Sequence, residues 1–156
     1  MDAKVTWDHG MTFSGTSDSG FIVPLGTSPK VGGENDGFKP MELMVISLGG
    51  CTAMDVISIM RKKRQEITAY EISVHTENAE THPKVLTNAT ILYDVTGHNV
   101  DEKALRRAIQ LSADRYCPAQ GMLAKVMPIE LLYEIYEDQG DNERVLIIKG
   151  KYENEK

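Results

Sequence analysis

The first third of the chain places short β-prone segments between glycine and serine residues. This pattern predicts a meander of antiparallel strands over residues 4–7, 11–14 and 20–25. Residues 26–39 are rich in glycine and show no hydrophobic period, which is typical of a long loop.

The next segment, residues 40–65, has the pattern of one long helix. Pro40 suits its first turn, where the missing N–H is not needed, and the basic residues 61–64 complement the negative end of the helix dipole. Apolar side chains fall on every side of this helix, so we expect it to be buried in the protein. Gly49 and Gly50 each cost about 1 kcal/mol relative to alanine, a cost that is offset where another element approaches closely.

Period-two patterns return in the second half of the chain. They predict strands over residues 70–76 and 84–95. The end of the chain reads as a hairpin with strands at 129–136 and 144–148, and residues 153–156 look unstructured.

Helical spacing separates these two pairs of strands. Asp101 can cap a helix that ends near Cys117, because Pro118 disfavours helical geometry in the residue before it. A second short helix is predicted over residues 119–126. The predicted order is therefore strands, a long loop, a buried helix, two strands, two helices and a final hairpin.

Composition places the chain among ordinary soluble domains. Its 156 residues are 41% hydrophobic and 26% charged, so we expect a single domain over residues 1–156. The formal net charge of −6 has no long like-charge blocks, which gives no footprint for nucleic acid or an anionic membrane. Asp55 would be costly in lipid and argues against a membrane span over residues 43–60. The N-terminus lacks the features of a secretory signal, so we expect a cytoplasmic protein with reduced thiols.

The chain has two cysteines, Cys51 and Cys117. They cannot form a disulfide framework for a domain of this size, which does not need one in order to fold. They also lack the clustered partners of a structural zinc site, so we expect no metal. Taken alone, each cysteine fits a small hydrophobic side chain in the core.

The segments around these cysteines are more specific than the cysteines themselves. Residues 40–55 read PMELMVISLGGCTAMD, with a Pro-x-Glu-Leu helix start and two glycines before Cys51. Residues 111–118 read LSADRYCP, with a Cys-Pro pair at the end of a helix. In this order and at this separation, the two segments resemble those of the OsmC-like family of hydroperoxide-handling proteins.

The resemblance implies a fold and an activity. The fold is an intertwined α+β homodimer, with N-terminal antiparallel strands and two buried central helices wrapped by sheets from both chains. The activity is reduction of organic hydroperoxides in defence against oxidative stress, with Cys51 forming a sulfenic acid that Cys117 resolves as a disulfide. An external dithiol reductant would restore both thiols, and no metal, flavin or haem cofactor is required.

The residues that activate the thiol in this family are not visible here. The family uses an arginine from the N-terminal half and a glutamate directly after the helix-start proline. This chain has Met41 at that position and no arginine before Arg61. Lys30, in the glycine-rich loop, could supply the positive charge but lacks the planar fork of donors of an arginine.

Three further residues are candidates for a polar role at the site. Glu42 lies nine positions before Cys51, on the opposite side of an ideal helix. Asp55 lies four positions after Cys51 and shares its face, either beside the thiol or as a structural partner of a donor from the second subunit. Arg115, two residues before Cys117, is the other cation that could lie close.

Two other functions fit the sequence. One is an OsmC-fold protein without peroxidase turnover, which binds a small hydrophobic ligand or a reactive sulfur species at the dimer interface. The absent arginine and glutamate favour this function. The other is a purely structural domain with two core cysteines, which predicts slow alkylation of both thiols.

Overall fold

The computed structural model describes residues 1–153. The chain forms two compact units, the first being Met1–Ile46 and the second beginning at Ser47. The single domain expected over residues 1–156 stays a prediction. Of the tail expected to be unstructured, Glu153 lies outside regular secondary structure, and residues 154–156 lie outside the described part of the chain.

The first unit contains a three-stranded antiparallel sheet. Its strands are β1 (Ala3–His9), β2 (Thr12–Ser17) and β3 (Ile22–Leu25), in that order across the sheet. The three predicted strands are therefore confirmed, although β1 and β2 extend beyond the predicted limits. The glycine-rich loop that follows contains one turn of 3₁₀ helix at Pro29–Val31.

Helix α1, Pro40–Lys62, begins at the predicted proline and continues from the first unit into the second. It ends three residues before the predicted limit of Gln65. Within the single chain, the large side chains that α1 buries recur every four residues along one face: Leu48, Thr52, Val56 and Met60. Apolar side chains on its other faces are exposed in the single chain, as Met54 is at 73%.

By length and composition alone, α1 is a helix that could cross a membrane. Core helices of soluble proteins meet the same two criteria. Asp55 near the centre of α1 is partly buried and accepts a hydrogen bond from Ser112. A carboxylate paired in this way is expected in a core helix, whereas a carboxylate facing lipid is costly.

The second unit is built on a four-stranded sheet. Its strands, in spatial order, are β4 (Glu66–Asn78), β5 (Leu86–His98), β6 (Ile129–Gly140) and β7 (Glu143–Tyr152). The two outer pairs are antiparallel, whereas β5 and β6 pair in parallel in the middle of the sheet. Parallel neighbours cannot be joined by a tight hairpin, so the chain needs a crossover between them.

Two helices form this crossover. Helix α2 is Glu102–Leu111, and Asp101 caps it by accepting a hydrogen bond from the backbone. One π-helical turn, Ser112–Tyr116, follows, and then helix α3, Pro118–Leu123. Cys117 is extended between them, as predicted for a residue before proline.

The core of the second unit is a cluster of buried side chains from the sheet and the helices. Strand β5 buries alternate residues, on the side that the sequence predicts: Ala89, Ile91, Tyr93 and Val95. Helices and strand β6 contribute further buried residues: Leu48, Val56, Met60, Leu105, Ile109, Leu131 and Ile135. Each large apolar side chain buried in this way stabilises the fold by roughly 1.5–3 kcal/mol.

Gly97 provides a test of how closely β4 and β5 pack. A Cβ atom at Gly97 would overlap the backbone oxygen of Glu66, so Gly97→Ala must displace the two strands. We expect the free energy of unfolding, measured by urea denaturation, to fall by about 2 kcal/mol or more. Gly121→Ala in α3 is the control, because a Cβ there would meet no described atom within 4 Å beyond its chain neighbours and the backbone of its own helix. It should raise stability by up to about 1 kcal/mol, and equal stability of the two variants would contradict the packing at Gly97.

Candidate functional site

The two cysteines meet where α1 faces the end of the π turn. Cys51 lies in the middle of α1 and is partly exposed, whereas Cys117 is 4% exposed. The Cys117 thiol donates a hydrogen bond to Cys51 Sγ at 2.8 Å. Two side chains that are 66 positions apart in sequence are therefore in direct contact.

The two glycines before Cys51 play different parts. A Cβ atom on Gly49 would lie 3.0 Å from Val74 Cγ2 of β4, so this glycine allows the sheet to approach α1. Beyond its chain neighbours and the backbone of its own helix, a Cβ atom on Gly50 would meet no described atom within 4 Å. The close approach predicted for the diglycine therefore occurs within this chain at Gly49.

Cys117 is held in a buried position by two hydrogen bonds. Besides its contact with Cys51, its Sγ accepts a hydrogen bond from the N–H of Gln120 at 3.3 Å. Burial, the largest cause, raises the pKa of the Cys117 thiol well above its ordinary value, and the hydrogen bond with Cys51 raises it further. The Gln120 N–H acts in the opposite direction and does not reverse this shift. Cys117 is therefore a protonated thiol at neutral pH.

Beside the sulfurs, a chain of hydroxyl groups connects α1, β5 and the π turn. Thr52 Oγ1 lies 2.6 Å from the hydroxyl of Tyr93 and 2.9 Å from that of Ser112. Ser112 donates its proton to Asp55 Oδ2 at 3.0 Å. Because a serine has only one hydroxyl proton, Thr52 must donate to Ser112, and Tyr93 must donate to Thr52.

Gln120 joins this chain of hydroxyls to the second cysteine. Its side-chain amide donates to the Tyr93 hydroxyl at 3.5 Å, while its backbone N–H holds Cys117. Burial raises the pKa of Tyr93 to about 12, so Tyr93 remains a donor at neutral pH. The direction of every hydrogen bond from Gln120 to Asp55 is thereby fixed.

Asp55 lies close to both sulfurs. One carboxylate oxygen of Asp55 and the sulfurs of Cys51 and Cys117 all lie within 4.8 Å of one another. A hollow of about 570 Å³ opens beside Asp55. The other residues that line it come from α1, α2 and the π turn: Ser58, Ile59, Lys62, Leu111 and Tyr116.

The other predicted polar residues have different surroundings. Lys30 is an exposed residue of the 3₁₀ turn in the first unit. Glu42 accepts hydrogen bonds from the backbone N–H of Lys39 at 2.9 Å and from its Nζ at 3.2 Å, and these bonds lower the Glu42 pKa. Glu42 therefore secures the start of α1. Arg115 is exposed, with its guanidinium 5.6 Å from the centroid of the Tyr116 ring.

Sequence reasoning missed the hydroxyl chain. Thr52 lies four residues after Leu48 and four before Val56, on the stripe that α1 buries. A polar side chain in the middle of a buried stripe requires a hydrogen-bond partner. That requirement was the available signal, but the sequence does not show which strand supplies the partner.

Comparison with known proteins identifies the family and a relative of this chain. Residues 33–132, which include both cysteines, match the family described as OsmC-like protein. The chain belongs to this family. Protein YhfA from Escherichia coli K12 is 36% identical over 138 residues, which are 86% of this chain and 98% of YhfA.

Solved structures agree with the architecture described above. The crystal structure of a hypothetical protein from Aquifex aeolicus, 29% identical, has a TM-score of 0.77 and covers 88% of this chain and 97% of that chain. An organic hydroperoxide resistance protein OsmC from Legionella pneumophila, 12% identical, has a TM-score of 0.61 and covers 86% and 94%. The second likeness shows the fold alone. The predicted OsmC-like α+β fold is confirmed.

Thr52→Val tests the hydroxyl chain. Valine has a similar shape but no hydroxyl, so Tyr93 and Ser112 lose their central partner in a buried setting. We expect the free energy of unfolding, measured by denaturant titration, to fall by about 2 kcal/mol. Thr6→Val on the exposed strand β1 is the control and should change stability by less than about 0.5 kcal/mol. Equal stability of the two variants would refute a stabilising role for the chain.

Proposed function

We propose that this protein reduces organic hydroperoxides with Cys51 as the nucleophile and Cys117 as the resolving cysteine. The 2.8 Å approach of the two sulfurs carries this proposal. Membership of the OsmC-like family supports it, because a protein of the same fold is described as an organic hydroperoxide resistance protein.

The burial of the two thiols supports this assignment of roles. Cys51 is partly exposed, so a peroxide can reach it, and the hollow beside Asp55 offers room for an organic group. Cys117 is 4% exposed and protonated, so it suits the resolving step better than the initial attack on the peroxide. Its thiol also donates a hydrogen bond to the sulfur of Cys51. This donor matters because the chain lacks the family's activating arginine and glutamate at the expected positions.

The proposed reaction has two chemical steps. The Cys51 thiolate attacks one peroxide oxygen, the O–O bond breaks, and the alkoxide leaves as an alcohol after it takes up a proton. The sulfur of Cys117 then attacks the sulfenic acid of Cys51, and the S–O bond breaks. Water leaves with the proton that Cys117 gives up, and a disulfide remains. An external dithiol then reduces the disulfide and returns the protein to its starting state.

We also propose that the protein acts as a cytoplasmic homodimer. In the single chain, 28% of the most apolar stretch of α1 is buried. Met54 is 73% exposed and Ile46 53% exposed, although both belong to an apolar helix. A second copy would cover these faces of α1. A reducing cytoplasm would keep both thiols ready for the next peroxide.

Addition of one equivalent of cumene hydroperoxide to the reduced protein tests the reaction. We expect loss of both free thiols and a mass decrease of two hydrogens, as one disulfide forms between Cys51 and Cys117. Cys51→Ser should consume no peroxide, whereas Cys117→Ser should gain one oxygen as a trapped sulfenic acid. Thiol titration and intact mass measure these outcomes. Unchanged thiols in the unsubstituted protein would reject the proposal and favour the ligand-binding function.

Sedimentation equilibrium tests the dimer. We expect a species of about twice the 17.3 kDa chain at micromolar concentration. Met54→Glu places a charge on the exposed apolar face of α1 and should weaken association by roughly 30-fold or more. Val85→Glu, at a residue that is 55% exposed outside the helices, is the matched control and should leave association unchanged. A monomer under these conditions would disprove the dimer.

A further inference from the structure

Three potential metal ligands converge at one place in the second unit. The sulfurs of Cys51 and Cys117 and a carboxylate oxygen of Asp55 lie within 4.8 Å of one another. We propose that the reduced protein binds one zinc-class divalent ion through these three atoms. This site goes beyond the proposed peroxide chemistry and does not depend on it.

The types of ligand select the class of metal. Two thiolates favour zinc and similar transition metals, whereas magnesium and calcium prefer sites made of oxygen alone. Two sulfurs bound to zinc at about 2.3 Å in a tetrahedral site lie about 3.8 Å apart. The thiols are now 2.8 Å apart, so the sulfurs must separate by about 1 Å. Cys51 is partly exposed, and we expect this movement to occur by rotation of its side chain.

The hydroxyl chain supplies the outer support that a metal site requires. Ser112 donates a hydrogen bond to Asp55 Oδ2 and so fixes the orientation of this carboxylate. Behind Ser112, the hydroxyls of Thr52 and Tyr93 fix the orientation of this hydrogen bond. On the other side, the N–H of Gln120 holds Cys117 Sγ. Such outer hydrogen bonds orient ligands before the metal arrives.

Charge and access also suit a bound cation. Each thiol releases one proton on binding, so two thiolates and one carboxylate would surround the divalent ion. Three protein ligands leave a fourth coordination position for water or an external thiol. The hollow that Asp55 lines gives a route to this position. Lys62 also lines the hollow, and its positive charge would balance the remaining negative charge.

This site lay outside what the sequence predicted. No metal was predicted because the two cysteines are widely separated in sequence and have no clustered partners. The fold overcomes that separation, and Asp55 joins because it lies one helical turn after Cys51 on α1. Oxidation to a disulfide removes both thiolates, so we expect the oxidised protein not to bind the metal.

Cobalt(II) provides a direct test. Addition of one equivalent to the phosphine-reduced protein should produce near-ultraviolet thiolate-to-cobalt absorption and the intense visible bands of a tetrahedral site. Zinc(II) should displace the cobalt. Cys51→Ser and Cys117→Ser should each lose most of the thiolate absorption. Asp55→Asn retains an acceptor for Ser112 and should weaken cobalt binding by about tenfold or more.

A second group of potential ligands supplies the control. His9, Glu34 and Asp36 are exposed in the first unit and also lie within 4.8 Å of one another. Since this group has no sulfur, His9→Ala should leave the thiolate-to-cobalt absorption unchanged. The cobalt affinity measured from that absorption should also be unchanged. The oxidised protein should show no thiolate absorption.

Two results would overturn the metal site. One is the absence of thiolate-to-cobalt absorption in a folded protein with two titratable thiols. The other is unchanged cobalt affinity in Asp55→Asn. This result would show that the Asp55 carboxylate is not a ligand. Peroxide consumption by the metal-free protein is measured separately, so failure of either proposal is distinguishable from failure of the other.

Discussion

The hydroxyl of Thr52 is the constraint on which the second unit depends. It lies on the buried stripe of α1, where an unpaired polar group would cost about 1–3 kcal/mol. Tyr93 on β5 and Ser112 at the start of the π turn satisfy it. These bonds hold the helix, the sheet and the crossover in one alignment, and Cys51 takes its position as the neighbour of Thr52. A purely apolar contact would allow α1 to slide or rotate, whereas these two directional hydrogen bonds do not.

The π turn gives Cys117 its position at the other end of the same chain. The N–H of Cys117 bonds to the carbonyl oxygen of Ser112, five residues earlier, at 2.9 Å. A turn of this kind holds one more residue than an α-helical turn, which changes the direction of the next side chain by about 100°. Pro118 then prevents the helix from continuing through Cys117. Ser112 thus acts on both Asp55 and Cys117. Its side chain orients Asp55, and its backbone oxygen sets the geometry before Cys117.

Local signals predicted most of the elements. Pro40 marked the start of α1, Asp101 the cap of α2 and Pro118 the break after Cys117, because each of these residues acts on its own backbone. The parallel pairing of β5 with β6 was not predictable in this way, because residues far apart in sequence determine it. The predicted end of α1 at Gln65 was three residues too late, since Lys62 already ends the helix and β4 begins at Glu66.

The candidate site likewise combines features that local sequence signals predict with contacts that depend on residues far apart in sequence. Asp55 was expected beside Cys51 from helical spacing alone, and its approach to Cys117 depends on the crossover. Glu42 looked like a candidate for the site but secures the first turn of α1 through Lys39.

The crossover also sets the order of events during synthesis. Cys51 leaves the ribosome 66 residues before its partner, and the two sulfurs can meet only after the crossover that carries Cys117 has been synthesised. Until then the nascent chain carries Cys51 as a solitary thiol, open to whatever oxidant or chaperone it encounters first.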